Sequence, residues 1–333
     1  MNTLELAQKL ISIKSISPND NGCFKIIKDE IIGLGFNVEI SSYSNVENLL
    51  AKHGSKGKIF CFLGHTDVVP SGPEGQWIVD PFSAQIVDNS LVGRGAADMK
   101  SSIAAFINAV KIFLADNPDP PFQIWILLTS NEEGEISDGK IDKIIAELQN
   151  KNIFIDYCLV GEASSKHSVG DVLRRGRRGS LTGYLTVHGK QGHVAYPKEV
   201  KNPIHACGKF IEKISNINWD QGNQDFDPTS FQISNISSGT GATNVVPGDL
   251  QMIFNFRFSP ENTADNLKRI TSDLLIDLNI EHSLEWVQNA EPYYTKNDDF
   301  IEIIQNALLK VNGKKAIIDN GGGNRRTKKF CLR

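Results

Sequence analysis

The side chains with most chemistry to offer lie in four short segments. His65 and Asp67 stand in GHTDVVP (64–70), Asp98 in GRGAADMK (93–100), Glu132 and Glu133 side by side in NEEG (131–134), and Glu162 in LVGEAS (159–164). One imidazole with several carboxylates is a borderline-hard nitrogen-and-oxygen donor set. It suits zinc and tolerates cobalt or manganese. A carboxylate can bridge two cations, because each oxygen can serve one. Two cations ~3.5–4 Å apart can share a hydroxide and polarise a scissile carbonyl. Asp67 is two residues from His65, so on extended chain it falls on the same side and could orient the imidazole. Taken singly, these residues have plainer readings: His65 as a loop histidine, Glu132 and Glu133 as a solvated turn, Glu162 as an isolated acid. Their joint placement is what points to a metal centre.

That placement depends on the surrounding elements. Residues 3–14 and 24–35 carry apolar side chains at helical spacing (Leu6, Leu10, Ile13; Ile27, Ile31, Leu34). Apolar runs at 58–64, 122–130 and 156–161 read as strands, with helices at 101–115 and 139–149 between them. Strands apolar throughout and separated by helices predict an α/β domain whose sheet is buried on both faces. Ligands collect at the carboxyl ends of such strands, where Gly64, Gly95, Gly134 and Gly161 would permit tight turns. The texture changes near residue 178. SLTGYLTVH (180–188) alternates like a strand with one wet face. Further strands at 228–236, 249–258 and 283–289, with helices at 203–214 and 261–278, predict a small α+β module. A helix at 298–311 returns to the first texture. The expected division is 1–178 as the first part of a metal-binding domain, 179–291 as an inserted domain, and 292–333 as the second part of the first.

At 333 residues the chain is too long for one compact core and suits two domains. Its 40% hydrophobic and 22% charged residues suit a globular protein. A net charge of −4 argues against nucleic-acid or anionic-membrane partners. No apolar run approaches the ~20 residues of a membrane span, and MNTLELAQKLISIKS lacks the apolar stretch of a signal peptide. A cytoplasmic protein is expected. The five cysteines (Cys23, Cys61, Cys158, Cys207, Cys331) form no CxxC pair, so neither a disulfide framework nor a zinc-thiolate site is expected. Cys61 and Cys158 read as buried small hydrophobes.

The four segments, in this order, resemble the M20 metallopeptidase and deacylase family. WIVDPFSA (77–84), GRRGSLTG (176–183), QGHVAYP (191–197), NPIHA (202–206) and GTGATNVVPGDL (239–250) resemble its succinyl-diaminopimelate desuccinylases in particular. The resemblance covers residues 1 to about 323. It implies an α/β zinc-peptidase-like catalytic domain with an inserted α+β lid and dimerisation domain, and two zinc ions, with cobalt possible. His65 and Glu162 would hold one ion, Asp98 would bridge, Glu133 would hold the second, Glu132 would be the general base, and Asp67 would orient His65. The bond between Asp98 and Met99 would be cis. His193 would reach the partner's site in a homodimer formed through 179–291. Arg178, Tyr196, Asn244 and Arg257 would hold the substrate, and Arg174, Arg175 and Arg177 beside Arg178 suit a polyanion. The implied reaction is hydrolysis of N-succinyl-LL-2,6-diaminopimelate to succinate and LL-2,6-diaminopimelate, in lysine and diaminopimelate biosynthesis. Another deacylase of the family, such as an acetylornithine deacetylase or aminoacylase, and a catalytically dead shortened homologue are the alternatives.

Two departures from the pattern stand out. Ser101 and Ser102 occupy positions where the family has a glycine. After GGG (321–323) the chain continues NRRTKKFCLR, and no histidine follows His282, although the family pattern places the second metal's imidazole there. The sequence therefore predicts a truncated or frameshifted member of the family that holds one metal better than two, with little or no activity.

Overall fold

The computed structural model describes residues 1–134 and 141–320. They form two compact units, Met1–Ser164 and Ser165 onward.

The first unit contains, in chain order, α1 (Thr3–Ile11), α2 (Cys23–Ile31), β1 (Asn37–Tyr43), β2 (Val46–His53), β3 (Ile59–His65), β4 (Gln85–Val87), β5 (Ser90–Val92), α3 (Ser101–Asp116), β6 (Gln123–Thr129), α4 (Ile141–Asn150) and β7 (Tyr157–Val160). α1 opens with a reciprocal cap: the Asn2 side chain accepts from the Glu5 amide, and the Glu5 carboxylate accepts from the Asn2 amide, both at 2.9 Å. α2 begins after Gly22, which has no side chain to cap with. Asp20 supplies the cap instead, accepting from the amides of Gly22 (3.0 Å) and Phe24 (2.9 Å).

The main sheet runs β1-β2-β6-β3-β7. β3 is parallel to β6 and β7, β2 is antiparallel to β6, and β1 to β2. Side chains alternate between the two faces of the sheet. Phe62, Ile126 and Leu128 meet Leu6, Leu10, Phe24, Ile27, Ile103 and Ile107 from α1, α2 and α3. Cys61, Leu63, Trp125 and Leu127 meet Ile144, Ile145 and Leu148 from α4. Burial on both faces explains why these strands read as unbroken apolar runs. β1 and β2 have no counterpart among the strands expected from the sequence: β2 is mostly buried, but Glu47 and Asn48 interrupt its apolar residues, and β1 is a polar, largely exposed edge. Its only local signal is the Ser44-Asn45 turn, whose φ values of 48° and 65° suit a two-residue hairpin.

The second unit contains β8 (Val172–Arg174), β9 (Gly176–Arg177), β10 (Gly179–His188), β11 (Gly192–His193), α5 (Pro203–Ser215), β12 (Ser230–Ser238), β13 (Val245–Val246), β14 (Asp249–Phe258), α6 (Ala264–Asp277), β15 (His282–Ala290), β16 (Tyr293–Tyr294), α7 (Asp298–Asn312) and β17 (Ile317–Asp319). An antiparallel sheet ordered β12-β14-β10-β15 buries alternate residues of β10 and β14. Leu181, Leu185, Met252, Phe254 and Phe256 pack against Cys207, Phe210, Ile214, Leu267 and Leu275 of α5 and α6. The stretches flanking this module pair with each other. β17 lies parallel to β8, and β16 antiparallel to β9.

Arg175 does not belong with the substrate-facing arginines expected from the sequence. It is buried, its Nη2 donates to Asp298 (2.6 Å) and to the Thr295 carbonyl (2.9 Å), and its guanidinium lies 5.0 Å from the Tyr294 ring centroid. It ties the two flanking stretches together.

Gly179 and Gly183 of β10 sit directly opposite Phe258 and Phe254 of β14, and the rings lie over the glycines. A Cβ on Gly183 would fall 2.3 Å from the Phe254 ring. Gly183→Ala should therefore cost about 1–3 kcal/mol through overpacking. Urea unfolding of the full chain followed by tryptophan fluorescence measures this.

Candidate metal centre

All six acidic and imidazole candidates of the first unit meet at one end of its sheet. β3 ends in His65 and β6 in Thr129, just before Glu132 and Glu133. β7 ends at Val160, just before Glu162. The register Leu63↔Val160 sets His65 and Glu162 side by side. Asp98 arrives from a turn, Ala96–Lys100, that precedes α3. Met99 brings it into place. The Met99 side chain lies over Gly64 and Gly161, the residues just before His65 and Glu162. A Cβ on Gly64 would lie 2.4 Å from Met99 Cε, and one on Gly161 2.8 Å from it. Met99 Sδ also accepts from the His65 amide at 3.3 Å. These two glycines are thus required for close approach. Of the four glycines expected to permit turns, Gly95 has a left-handed φ, 84°. The Asp98–Met99 peptide bond is cis, as expected.

His65 is fully buried. Its Nε2 lies 3.0 Å from Asp98 Oδ1 and 3.4 Å from Glu162 Oε1. Its Nδ1 lies 2.9 Å from the Asp67 carbonyl oxygen and 3.5 Å from Asp67 Oδ1. The backbone of Asp67, more than its carboxylate, therefore orients the ring. The carboxylate serves the neighbouring loop. Oδ1 accepts from the Glu132 amide at 2.9 Å and Oδ2 from the Glu133 amide at 3.0 Å, and the Ser17 hydroxyl also donates to Oδ2. Sequence reasoning misses Ser17, and nothing in its spacing marks it.

This donor set fits a divalent cation. With the Nδ1 proton given to the Asp67 carbonyl, the Nε2 lone pair faces two carboxylates, an arrangement that needs positive charge between them. Ligand atoms of His65, Asp98 and Glu162 lie within 4.8 Å of one another, as do those of His65, Glu132 and Glu133. Without a metal, a proton fills the role. Burial works against a charged His65, but hydrogen bonds to Asp67, Asp98 and Glu162 outweigh it and raise its pKa well above 6.5. The same bond to His65 is the main reason the Asp98 carboxyl is held below its usual range. Burial, then repulsion from Asp98, pushes Glu133 up.

The profile of Peptidase family M20/M25/M40 matches residues 61–329. The chain belongs to this peptidase family. Similar M20 relatives include two proteins called succinyl-diaminopimelate desuccinylase. The one from Hydrogenovibrio crunogenus is 47% identical over 323 residues, and the one from Methylobacillus flagellatus 46% over 321. Each match covers 96% of this chain and 85% of the relative. Among solved structures, the aminopeptidase PepT of Bacillus cereus superposes with a TM-score of 0.72 at 17% identity, covering 97% of this chain and 85% of that one. The YXEP protein of Bacillus subtilis, a dinuclear metal-binding M20 peptidase, gives 0.65 at 13%, covering 97% and 83%. At such identities the structures establish a shared M20 fold.

In the second unit the expected site residues fall into two groups. His193, on β11, pairs with Val245 of β13, and the Val194 amide donates to the Asn244 carbonyl at 3.1 Å. His193 and Tyr196 have ring centroids 5.8 Å apart, and the Ala195 amide donates to His193 Nδ1 at 3.1 Å. Arg257 stands opposite Ser180, and Arg178 just precedes β10. These arginines lie at the far end of β10 and β14 from His193; the strand between Ser180 and His188 alone spans roughly 27 Å at ~3.4 Å per residue. The expectation drawn from the end of the chain, that the second metal's histidine is missing, falls on residues outside those described.

In the metal-free chain, His65 has a folded pKa above its unfolded one. Its contribution to stability is therefore complete below about pH 6.5 and is lost as pH rises through the folded value. Urea unfolding of chelator-treated protein, compared with a His65→Ala variant, should show the parent's advantage shrinking as pH rises above about 6.5 and through the folded value. An advantage that grows over that range would contradict the charge assignment.

Proposed function

We propose that this chain hydrolyses the amide of N-succinyl-LL-2,6-diaminopimelate, releasing succinate and LL-2,6-diaminopimelate, as a cytoplasmic enzyme of lysine and diaminopimelate biosynthesis. The observation that carries the reading is the convergence of His65, Asp98 and Glu162 beside Glu132 and Glu133, in a chain nearly half identical to proteins named for that reaction. His65, Asp98, Glu133 and Glu162 would hold two divalent cations, zinc or cobalt, with Asp98 between them. When bound, such cations lower the pKa of water towards ~7 and polarise the scissile carbonyl. Glu132 takes a proton from the attacking water and gives it to the leaving amine as the C–N bond breaks. Asp67 fixes the backbone from which both Glu132 and Glu133 project, so base and ligand keep their spacing.

The α+β module, residues 179–291, acts as a lid and forms a homodimer. Its core is drawn from residues 181–280 alone, which supports an independent domain. The separation between His193, Tyr196 and Asn244 at one end of the sheet and Arg178 and Arg257 at the other supports a shared site. One copy's lid presents these two groups at opposite ends of β10 and β14. Arg178, Tyr196, Asn244 and Arg257 then bind the substrate, and His193 serves the partner's site, where it stabilises the oxyanion.

Glu132→Gln removes the proton acceptor and keeps the size. Turnover should fall by ~10²–10⁴-fold while metal content, read by atomic emission, stays at the parent's level. Near-parental rates would exclude Glu132 as the base. Parallel assays with N-succinyl-diaminopimelate and N-acetylornithine separate the proposed reaction from other deacylations. Mixing His193→Ala with Glu132→Gln protein should recover part of the activity through mixed dimers. No recovery after demonstrated subunit exchange would place His193 in its own subunit's site.

A further inference from the structure

We infer that Ser17 is a positioning residue for this reaction, acting through Asp67 on both the metal ligands and the general base. The inference rests on the metallohydrolase reading above. The segment 15–17 runs alongside 66–68: Ile16 bridges Val68 in parallel, Val68 N–H donates to the Ser15 carbonyl (2.9 Å), and Ser17 N–H to the Val68 carbonyl (3.1 Å). One residue further on, the Pro18 carbonyl accepts from the Ser130 hydroxyl at 2.6 Å, at the end of β6. The segment therefore lies between the loop carrying His65 and Asp67 and the loop carrying Glu132 and Glu133, and it is bonded to both.

Within that segment, Ser17 is the residue whose side chain reaches the site. Its hydroxyl donates to Asp67 Oδ2, the oxygen that also accepts from the Glu133 amide. Asp67 is fully buried, so water does not readily replace a lost donor there. In the observed Asp67 rotamer the two carboxylate oxygens meet the two amides, while the backbone carbonyl of Asp67 meets His65. The hydroxyl holds that rotamer at the oxygen that does not serve Glu132. Without it the carboxylate is held only by the two amides and its 3.5 Å contact with His65, and Glu132 and Glu133 lose part of their common reference. Ser15 is the built-in comparison. It lies in the same segment, fully buried, but its hydroxyl donates to the Thr66 carbonyl at 2.6 Å.

The test compares Ser17→Ala, Ser17→Thr, Ser17→Val and Ser15→Ala in the full chain, by zinc-binding isotherm, kcat and KM, and thermal unfolding of the metal-free protein. Loss of an outer hydrogen-bond partner commonly weakens metal binding by about tenfold or more. Ser17→Ala and Ser17→Val should show that weakening and a similar fall in kcat, with KM within about twofold. Ser17→Thr, nearly the shape of Val but with the hydroxyl, should recover both. Ser15→Ala should lower the unfolding temperature without changing zinc affinity. If Ser17→Ala does not fold, the Thr and Val variants carry the comparison. The inference is overturned if Thr and Val behave alike, or if Ser15→Ala weakens zinc as much as Ser17→Ala. A parent that binds zinc but does not cleave the succinyl substrate overturns only the substrate reading. A parent that binds no divalent cation overturns both.

Discussion

Carboxylates gathered around one buried imidazole repel one another, and every element near the site has to oppose that repulsion. Two like charges ~4 Å apart cost about 4 kcal/mol at an effective dielectric of ~20. The cluster contains Asp98, Glu133 and Glu162 around His65, with Asp67 behind it. A divalent cation or a proton on His65 neutralises the front of the cluster. The back is held by the chain itself. Burial disfavours charge on Asp67, but bonds from His65, Ser17 and the Glu132 amide keep its carboxyl below the usual range.

The same requirement explains the fully buried Lys100. Its ammonium donates to the carbonyls of Leu10 and Ile13, both at 2.9 Å, just where α1 ends. Burial lowers its pKa, while Cys23, Asp20 and Asp67 pull it back up. The positive charge thus lies within electrostatic reach of the buried Asp20 and Asp67 carboxylates. It also pins the start of α3 to the end of α1, two residues after Asp98. Met99, seated over Gly64 and Gly161, fixes that turn against the strands. Asp98 is thereby clamped from both sides, by an apolar side chain over two glycines and by an ammonium capping a helix.

Much of this arrangement is legible in the sequence because it is local. Apolar runs identify β3, β6 and β7. A histidine or carboxylate just beyond each run identifies the site, since strands in a parallel sheet deliver their carboxyl ends to one edge. The alternation in β10 and β14 likewise reports one wet face. Residues 37–53 carry a weaker signal, because β1 is an exposed edge strand and the buried apolar residues of β2 are interrupted by Glu47 and Asn48. Arg175 misleads for a related reason. Four arginines in five residues look like one basic surface, but only tertiary contacts reveal that Arg175 points inward to Asp298 and Tyr294.

The illegible part of the site is the part that links distant segments. Ser17 and Asp67 are fifty residues apart, as are Ser15 and Thr66 to within one, and Lys100 reaches back ninety to Leu10. A serine before a proline reads as turn chemistry, and a lysine after a carboxylate reads as surface. Neither reading is wrong about local preference. Their function comes from an environment that exists only once the sheet and three helices have packed. Spacing therefore reveals the groups that would touch the metal and the reacting water, because strands present them in order. The groups that hold them still are chosen by what happens to lie across the fold, and only the folded chain identifies them.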